Sequence, residues 1–347
     1  MDKRLIQAVA GAGKTTELVS RLDLKKRVLI VTYADNNVET IRSKVVDRFG
    51  FMPANVTVYS YFTFLHSFCY RPFLLLEMGR TVGLNFKEPP EFTYTLTRTN
   101  YKYYVDSHKR LYHGRLSKLL DVKGVIPDIL KRLEKYFDAL FIDEVQDFGG
   151  QDFEFLKSLM QAKMELMFVG DFFQSTYQTS RDGTLNNGLH KDFKKYLAYF
   201  LKGQMQVDRE KLVKSRRCSP SVCGFIRDNI GIEIHSHSEE STVVEYIRDQ
   251  QKANDIFACQ KTVKLFYDKH YLYDCFSQNW GASKGQDHYN DVCVVLNLTT
   301  DAAYLKGDLR NLKPLTKNKF YVACSRARGN LYFVPDKMFK HFKALEK

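Results

Sequence analysis

The chain has 347 residues, 44% of them hydrophobic, which is enough to bury the cores of two domains of ordinary size. It contains no run of about 18 apolar residues and no apolar region typical of a secretory signal, so we expect neither a membrane span nor export. The net charge of +13 favours a polyanionic partner, nucleic acid before membrane, although a basic protein with merely solvated lysines would show the same excess. The seven scattered cysteines predict neither a zinc site nor a disulfide framework and favour a reducing compartment, the cytoplasm.

Short apolar runs alternate with helical patterns along most of the chain. An apolar run at 5–8 leads into a glycine-rich turn and a helix. Buried strands are predicted at 27–33 and 139–143, an alternating strand at 55–61, and further strands at 166–170, 291–296 and 331–334. This alternation predicts an α/β fold whose parallel sheets are covered on both faces. Because ligands bind at the carboxyl ends of such strands, the polar and acidic residues found there are the first functional candidates.

The first motif follows the apolar run at 5–8. Residues 8–15 read AVAGAGKT, which matches a phosphate-binding loop except that Ala8 replaces the first glycine. The glycines allow backbone N–H groups to face phosphates, and the start of the next helix adds partial positive charge. Lys14 would reach the β- and γ-phosphates of ATP, and the Thr15 hydroxyl would bind Mg²⁺. The predicted phosphate-binding residues are Ala10, Gly11, Ala12, Gly13, Lys14, Thr15 and Thr16, the last with a more structural role.

The strand at 139–143 ends in a pair of acids that complements this loop. Asp143 is placed to hold Mg²⁺, and Glu144 to orient and deprotonate an attacking water. An acidic pair after a strand is a weak signal alone, but it becomes strong together with an upstream phosphate loop.

The acidic pair continues as DEVQD at 143–147, which resembles the second motif of UvrD/Rep-like superfamily 1 helicases, DExQD. Further segments resemble this family in the same order: TYADN at 32–36, the looser VYSYF at 58–62, VGDFFQSTY at 169–177, LVKSRRC at 212–218, SKGQD at 283–287 and YVACSRAR at 321–328. The resemblance covers nearly the whole chain. It implies two RecA-like lobes with a nucleotide cleft between them and ATP and Mg²⁺ as cofactors.

The resemblance also implies residue roles. Gln174 would sense the γ-phosphate, and Arg217 and Arg326 would act as arginine fingers, with Arg216 as an alternative to Arg217. Gly285 would lie in the nucleotide site. The residues that the resemblance places on single-stranded DNA are Thr32, Tyr33, Asn36, Tyr61, Ser283 and Lys284. For Tyr33 and Tyr61 a place in the core is an equally open alternative.

Two lobes are expected, one at 1–205 with a small insertion at about 80–130 and one at 206–347 carrying the arginine fingers. The segment at 80–115 is tyrosine-rich and basic, and its cluster of Tyr101–Tyr104 with Lys109 and Arg110 is either a small DNA-facing insertion or a solvated hairpin. The leading hypothesis is a monomeric, ATP-driven motor on single-stranded DNA that also unwinds duplex. The alternatives are an RNA-directed motor, a phosphate-loop kinase or nucleotide switch, and a binding module with a decayed motor core. The adenine-reading glutamine motif of the family has no counterpart before residue 8, so base specificity stays open.

Overall fold

The computed structural model describes residues 2–33, 35–176 and 183–344, except for the Asn36 side chain. The strands within these ranges are β1 (Lys3–Gln7), β2 (Val28–Thr32), β3 (Val56–Ser60), β4 (Leu84–Asn85), β5 (Leu111–Tyr112), β6 (Ala139–Asp143), β7 (Glu165–Gly170), β8 (Gln206–Asp208), β9 (Lys214–Ser215), β10 (His235–Ser236), β11 (Val244–Tyr246), β12 (Thr262–Phe266), β13 (Ser277–Asn279), β14 (Asp291–Leu296) and β15 (Leu331–Pro335).

The α-helices of the described residues connect most of these strands. They are α1 (Lys14–Ser20), α2 (Asp35–Phe49), α3 (Tyr61–Thr63), α4 (Arg71–Leu74), α5 (Tyr101–Tyr104), α6 (Leu116–Val122), α7 (Ile126–Tyr136), α8 (Gly150–Leu159), α9 (Phe193–Lys202), α10 (Pro220–Phe225), α11 (Gln250–Ala258), α12 (Leu298–Leu305) and α13 (Pro314–Cys324). A π-helical stretch, Phe64–Tyr70, joins α3 to α4. No helix of the described residues is long and apolar enough to cross a membrane.

Two large sheets organise the chain. The first has six strands in the order β3-β2-β6-β7-β1-β8, and the second has five in the order β11-β15-β14-β12-β13. Strands pair in parallel within each sheet, as between β2 and β6 or between β14 and β15. The predicted α/β fold with two parallel sheets is therefore confirmed, and the six strands predicted from apolar runs correspond to β2, β3, β6, β7, β14 and β15.

Cα positions divide the chain into two units. Within the described residues, the first unit is drawn from Met1–Ile6, Lys14–Gly170 and Gln178–Asp208, and the second from Gln7–Gly13, Asp171–Tyr177 and Arg209–Lys347. The first sheet lies in the first unit and includes β8, which pairs in parallel with β1. The second unit takes in most of the phosphate loop and the segment after β7.

The central strands of the first sheet are buried on both faces. Every residue of β2 and β6 is buried, which explains why each reads as a continuous apolar run. The strand order places the carboxyl ends of β3, β2, β6, β7 and β1 side by side. The motif residues follow these ends directly, so the sheet gathers residues that are far apart in the sequence.

Candidate functional site

Lysine, threonine and two acids meet at the carboxyl ends of β1 and β6. The Lys14 Nζ lies 3.4 Å from a Glu144 carboxylate oxygen, and both side chains are largely buried. The Thr15 hydroxyl donates to the Asp143 carboxylate at 3.2 Å. Hydroxyl and carboxylate oxygens are ligands that Mg²⁺ prefers, and a site with few protein ligands suits an ion that keeps waters and phosphate oxygens. The residues present therefore fit Mg²⁺.

Electrostatics of the acidic pair favour a cation. Burial, and then the neighbouring Glu144 carboxylate, raise the pKa of Asp143 to about 7. A divalent cation bound beside Asp143 would favour the charged carboxylate. Glu144 has a left-handed backbone with φ 54° and ψ 43°, which is uncommon for a residue other than glycine. Strain of this kind concentrates at functional sites, and here it turns the Glu144 side chain toward Lys14 and Gln146, whose amide donates to Glu144.

The phosphate loop has the backbone that its glycines predict. Gly11 and Gly13 have φ values of 70° and 88°. A Cβ placed on Gly11 would lie 2.7 Å from the Arg217 Cβ and 2.8 Å from the Ser215 hydroxyl oxygen. The Arg216 N–H donates to the Gly11 carbonyl at 2.9 Å. Within the second unit, the loop backbone is thus in direct contact with the segment that carries Arg217.

Both predicted arginine fingers contact one carboxylate, that of Asp287. Arg217 pairs with it through Nη2, and the Arg326 Nη1 lies 3.5 Å from the same oxygen. Backbone carbonyls hold both guanidinium groups: that of Ser325 accepts from Arg217 at 3.2 Å, and that of Val322 accepts from Arg326 at 3.2 Å. Burial, and then Arg217, lower the pKa of Arg326 to about 10, so it stays charged at neutral pH.

Arg217 is distinguished from its neighbour by burial. Only 9% of the Arg217 side chain is exposed, whereas Arg216 is exposed to solvent. The buried Nε of Arg217 has no hydrogen-bond partner among the described residues. A buried donor without an acceptor is costly, and an anionic ligand would supply the missing acceptor.

A chain of hydrogen bonds links the phosphate loop to the motif after β7. The Ala10 N–H donates to the Tyr321 hydroxyl at 2.9 Å, and this hydroxyl donates to the Asp171 carboxylate at 2.9 Å. The Gln174 amide donates to the same Asp171 oxygen at 3.0 Å. Tyr321 and Gln174 are buried, and burial keeps the pKa of Tyr321 well above its ordinary value, so its hydroxyl stays protonated.

This network changes what each predicted residue can contribute. The Ala10 N–H is already engaged, so phosphate-facing donors are expected from the rest of the loop. The exposed Thr16 hydroxyl accepts from Lys44 at 3.1 Å, in keeping with a structural role. Gly285 has φ 83° and open space around it. Tyr321 and Asp287 lie within recognised motifs, but no role was predicted for either of them.

Three of the predicted nucleic-acid contacts are buried. Tyr61 is fully buried, and its hydroxyl donates to Asp152 at 3.0 Å. Thr32 is fully buried and accepts from the Asn37 amide at 3.3 Å. The buried Ser283 hydroxyl donates to the Trp280 carbonyl at 2.6 Å. A nucleic-acid strand could not reach these three side chains without rearrangement of the structure.

The remaining predicted contacts differ in what the structure describes. Tyr33 and Lys284 are half-buried and accessible. Asn36 belongs to α2, but its side chain lies outside the described part of the chain. Tyr177, the last residue of VGDFFQSTY, also lies outside it. Phe62, next to Tyr61, is half-buried and was missed as a candidate. Phe62 is the last residue of the looser motif VYSYF, and that position was the available signal.

Comparison with known families agrees with this geometry. Residues 92–192 match the family model of the UvrD/REP helicase N-terminal domain. This segment is similar to a helicase domain. This match confirms the resemblance to UvrD/Rep helicases for the part of the chain that carries DEVQD and VGDFFQSTY. A comparison with curated proteins gives no match.

Solved helicase structures share the fold of this chain. A complex of arterivirus nonstructural protein 10 (helicase) with DNA aligns with a TM-score of 0.52 and 13% identity, covering 97% of this chain and 62% of that one. A crystal structure of arterivirus nonstructural protein 10 (helicase) aligns with a TM-score of 0.51 and 15% identity, covering 98% and 62%. The chain thus spans about three fifths of these proteins. At such identities the similarity shows the fold alone.

Proposed function

We propose that this chain is a helicase that hydrolyses ATP to move along a single nucleic-acid strand, with DNA as the first candidate, and that it unwinds duplex. The observation that carries the proposal is that a lysine, a threonine and two acids meet at one edge of the first sheet. In the second unit, the phosphate-loop backbone at Gly11 contacts Arg217, whose buried Nε has no hydrogen-bond partner among the described residues. Phosphoryl transfer needs such concentrated charge because its transition state spreads negative charge over the phosphate oxygens.

Each group has a distinct task in this proposal. Lys14 binds the β- and γ-phosphates, and Glu144 orients the attacking water and takes its proton. Thr15 and Asp143 would hold Mg²⁺, which would neutralise phosphate charge when bound. Arg217 and Arg326 leave Asp287 to stabilise charge on the γ-phosphate. Gln174 reports the γ-phosphate through Asp171 to Tyr321, whose hydroxyl contacts the phosphate loop.

Tyr33 in the first unit and Lys284 in the second are each proposed to contact the nucleic-acid strand. A half-buried tyrosine presents a stacking face, and a lysine binds phosphate. The net charge of +13 supports a polyanionic partner, and one of the similar structures is a helicase solved with DNA. RNA remains the alternative strand, since stacking and phosphate contacts serve both polymers.

The test is the ATPase rate with and without single-stranded DNA, single-stranded RNA or duplex. Wild-type protein should turn over ATP faster with a single strand. Lys14→Ala and Glu144→Gln should each reduce turnover at least about 100-fold, because they remove the phosphate clamp and the general base. Lys25→Ala, which alters an exposed lysine, is the matched control and should keep the wild-type rate.

The outcomes separate the alternatives. ATP turnover that no nucleic acid changes would favour the phosphate-loop kinase or switch. Stronger stimulation by RNA than by DNA would reassign the strand. Full activity of folded Lys14→Ala or Glu144→Gln protein, with an unchanged melting temperature, would defeat the motor assignment.

A further inference from the structure

Three aromatic rings form a cluster at the surface of the first unit, which we name the Phe86 cluster: Phe62, Phe86 and His113. The Phe86 and His113 rings stack with centroids 5.0 Å apart and planes 28° from parallel. The Phe62 ring meets both edge-on, at 5.3 Å from Phe86 and 5.2 Å from His113. Tyr33 touches the cluster through Phe62, with centroids 5.6 Å apart. The cluster therefore continues from the predicted DNA-contacting segment.

The backbone fixes two of the rings in register. The short strands β4 and β5 pair in parallel, with Asn85 opposite Tyr112. Phe86 directly follows β4 and His113 directly follows β5, so the two residues leave the paired strands side by side. The His113 Nδ1 donates to the Asn85 carbonyl at 3.1 Å, which holds the imidazole ring in place. The paired backbone of the insertion thus positions both rings of the stack.

Phe86 is 59% exposed although it is ordered in this stack. One face of its ring lies against His113 and an edge meets Phe62. The exposed fraction is therefore largely the opposite face. An aromatic face that its neighbours hold in place and that solvent can reach is available for stacking on another ring.

The charge around the cluster selects the occupant. Residues 80–115 contain seven lysines and arginines against three acidic residues, and the exposed Lys87 follows Phe86 directly. Basic side chains with an open aromatic face are the combination that binds single-stranded nucleic acid, because phosphates meet cations and bases meet rings. An apolar protein partner would gain nothing from this excess of positive charge.

We propose that the open face of Phe86 stacks on an unpaired base of the nucleic-acid strand, so that the base, Phe86 and His113 form one continuous stack. The inference rests on the proposed function. It extends the path of the strand from Tyr33 across Phe62 onto the insertion. The insertion thereby acts as part of the binding surface, and Phe86 sets how firmly the strand is held there.

The test compares Phe86→Ala with Phe92→Ala. Phe92 is 60% exposed and lies in the same insertion, so it matches Phe86 in type and exposure. Binding of an oligothymidine and of an abasic oligonucleotide of equal length is measured, together with the melting temperature of each variant. Phe86→Ala should bind oligothymidine about 5- to 150-fold more weakly, the range expected for one lost base–aromatic stack. Phe92→Ala should bind like wild type, and Phe86→Trp should retain binding.

The abasic oligonucleotide isolates stacking from phosphate contact. On it, Phe86→Ala and wild type should bind equally, because no base is present to stack. Equal binding of oligothymidine by wild type and Phe86→Ala, or an equal loss in Phe92→Ala, would overturn the inference and leave the proposed function intact if wild-type ATPase still responds to single strands. Wild-type protein that neither binds nor responds to any single strand would overturn both.

Discussion

Two guanidinium groups share the single carboxylate of Asp287, and this pairing leaves a positive surplus. Arg326 is 2% exposed and the Arg217 side chain 9%, so neither charge is well hydrated. Asp287 itself is 61% exposed and so can move away. A γ-phosphate would offer both arginines more charge than one carboxylate does, which favours exchange of partners when nucleotide binds.

The first prediction separates two adjacent arginines. Arg217→Ala should reduce nucleic-acid-stimulated ATP turnover about a thousandfold or more, the usual cost of losing an arginine finger. Arg216→Ala should retain turnover, since its side chain is exposed and contributes to the phosphate loop only through its backbone N–H, which alanine keeps. Steady-state ATPase rates of the two variants decide the assignment. Loss in Arg216→Ala with activity in Arg217→Ala would reverse it.

The sequence predicts which residues meet at the edge of the first sheet where a motif assigns one chemical role to one side chain. Lys14, Thr15, Asp143 and Glu144 fall into such positions, and the sequence spacing around them suffices. The sequence does not predict the place of Tyr61, because an aromatic residue after a strand gives the same sequence pattern whether its ring packs into the core or faces solvent. The structure buries Tyr61 and leaves Phe62 accessible, and only packing distinguishes the two.

At the scale of elements, Asp152 of α8 joins two neighbouring helices. The hydroxyls of Tyr61, at the start of α3, and Ser117, in α6, both donate to its Oδ1, at 3.0 and 2.7 Å. Its Oδ2 is buried without a hydrogen-bond partner among the described residues. Burial raises the pKa of this carboxyl to about 6, against the lowering effect of the two hydrogen bonds. The ionised Asp152 carboxylate is therefore poorly solvated where these helices meet.

Asp152→Asn should remove a pH-dependent penalty. In the unfolded chain the carboxyl titrates near 3.8, and in the folded chain near 6, so the folded state binds the proton more tightly. Wild-type stability should therefore fall as pH rises between these values, by up to about 3 kcal/mol, and the penalty should persist at higher pH. Asparagine keeps an oxygen for both hydroxyls and carries no charge. Urea unfolding from pH 4 to 8 checks this.

The quantity to compare is the difference in unfolding free energy between Asp152→Asn and wild type. It should grow in favour of the variant as pH rises to about 6 and then level off. A difference that stays constant with pH would show that Asp152 is not the titrating group.

The element that sequence patterns missed most clearly is β12, a central strand of the second sheet. It reads TVKLF, and Lys264 interrupts the apolar run that identifies a buried strand. The structure buries Lys264 completely and lets its Nζ donate to the carbonyls of Cys259 and Thr262 at 2.7 and 3.0 Å. A buried lysine satisfied by backbone oxygens cannot be recognised from composition. The sequence also did not predict the short strand β8, because three residues are too few to show a hydrophobic periodicity.

At the scale of the whole chain, the net charge of +13 bears on binding rather than on fold. If the chain binds a single strand through phosphates, binding must weaken with salt as condensed counterions are released. The logarithm of the binding constant should fall with the logarithm of salt concentration by about 0.7 for each phosphate contacted. Stacking on Phe86 should add affinity without adding to this slope, so charge and stacking can be measured separately.

The last prediction concerns Lys284, the accessible lysine of the SKGQD motif. Lys284→Ala should weaken oligothymidine binding severalfold at low salt and make the salt slope shallower by about 0.7, because one phosphate contact is lost. Lys306→Ala, at an exposed lysine just after α12, should leave affinity and slope unchanged. Fluorescence anisotropy between 50 and 300 mM salt, roughly the range in which such contacts titrate, measures both. If both variants show the same salt slope as wild type, Lys284 does not contact a phosphate of the nucleic acid. The positive charge that binds the nucleic-acid strand then lies elsewhere on the protein.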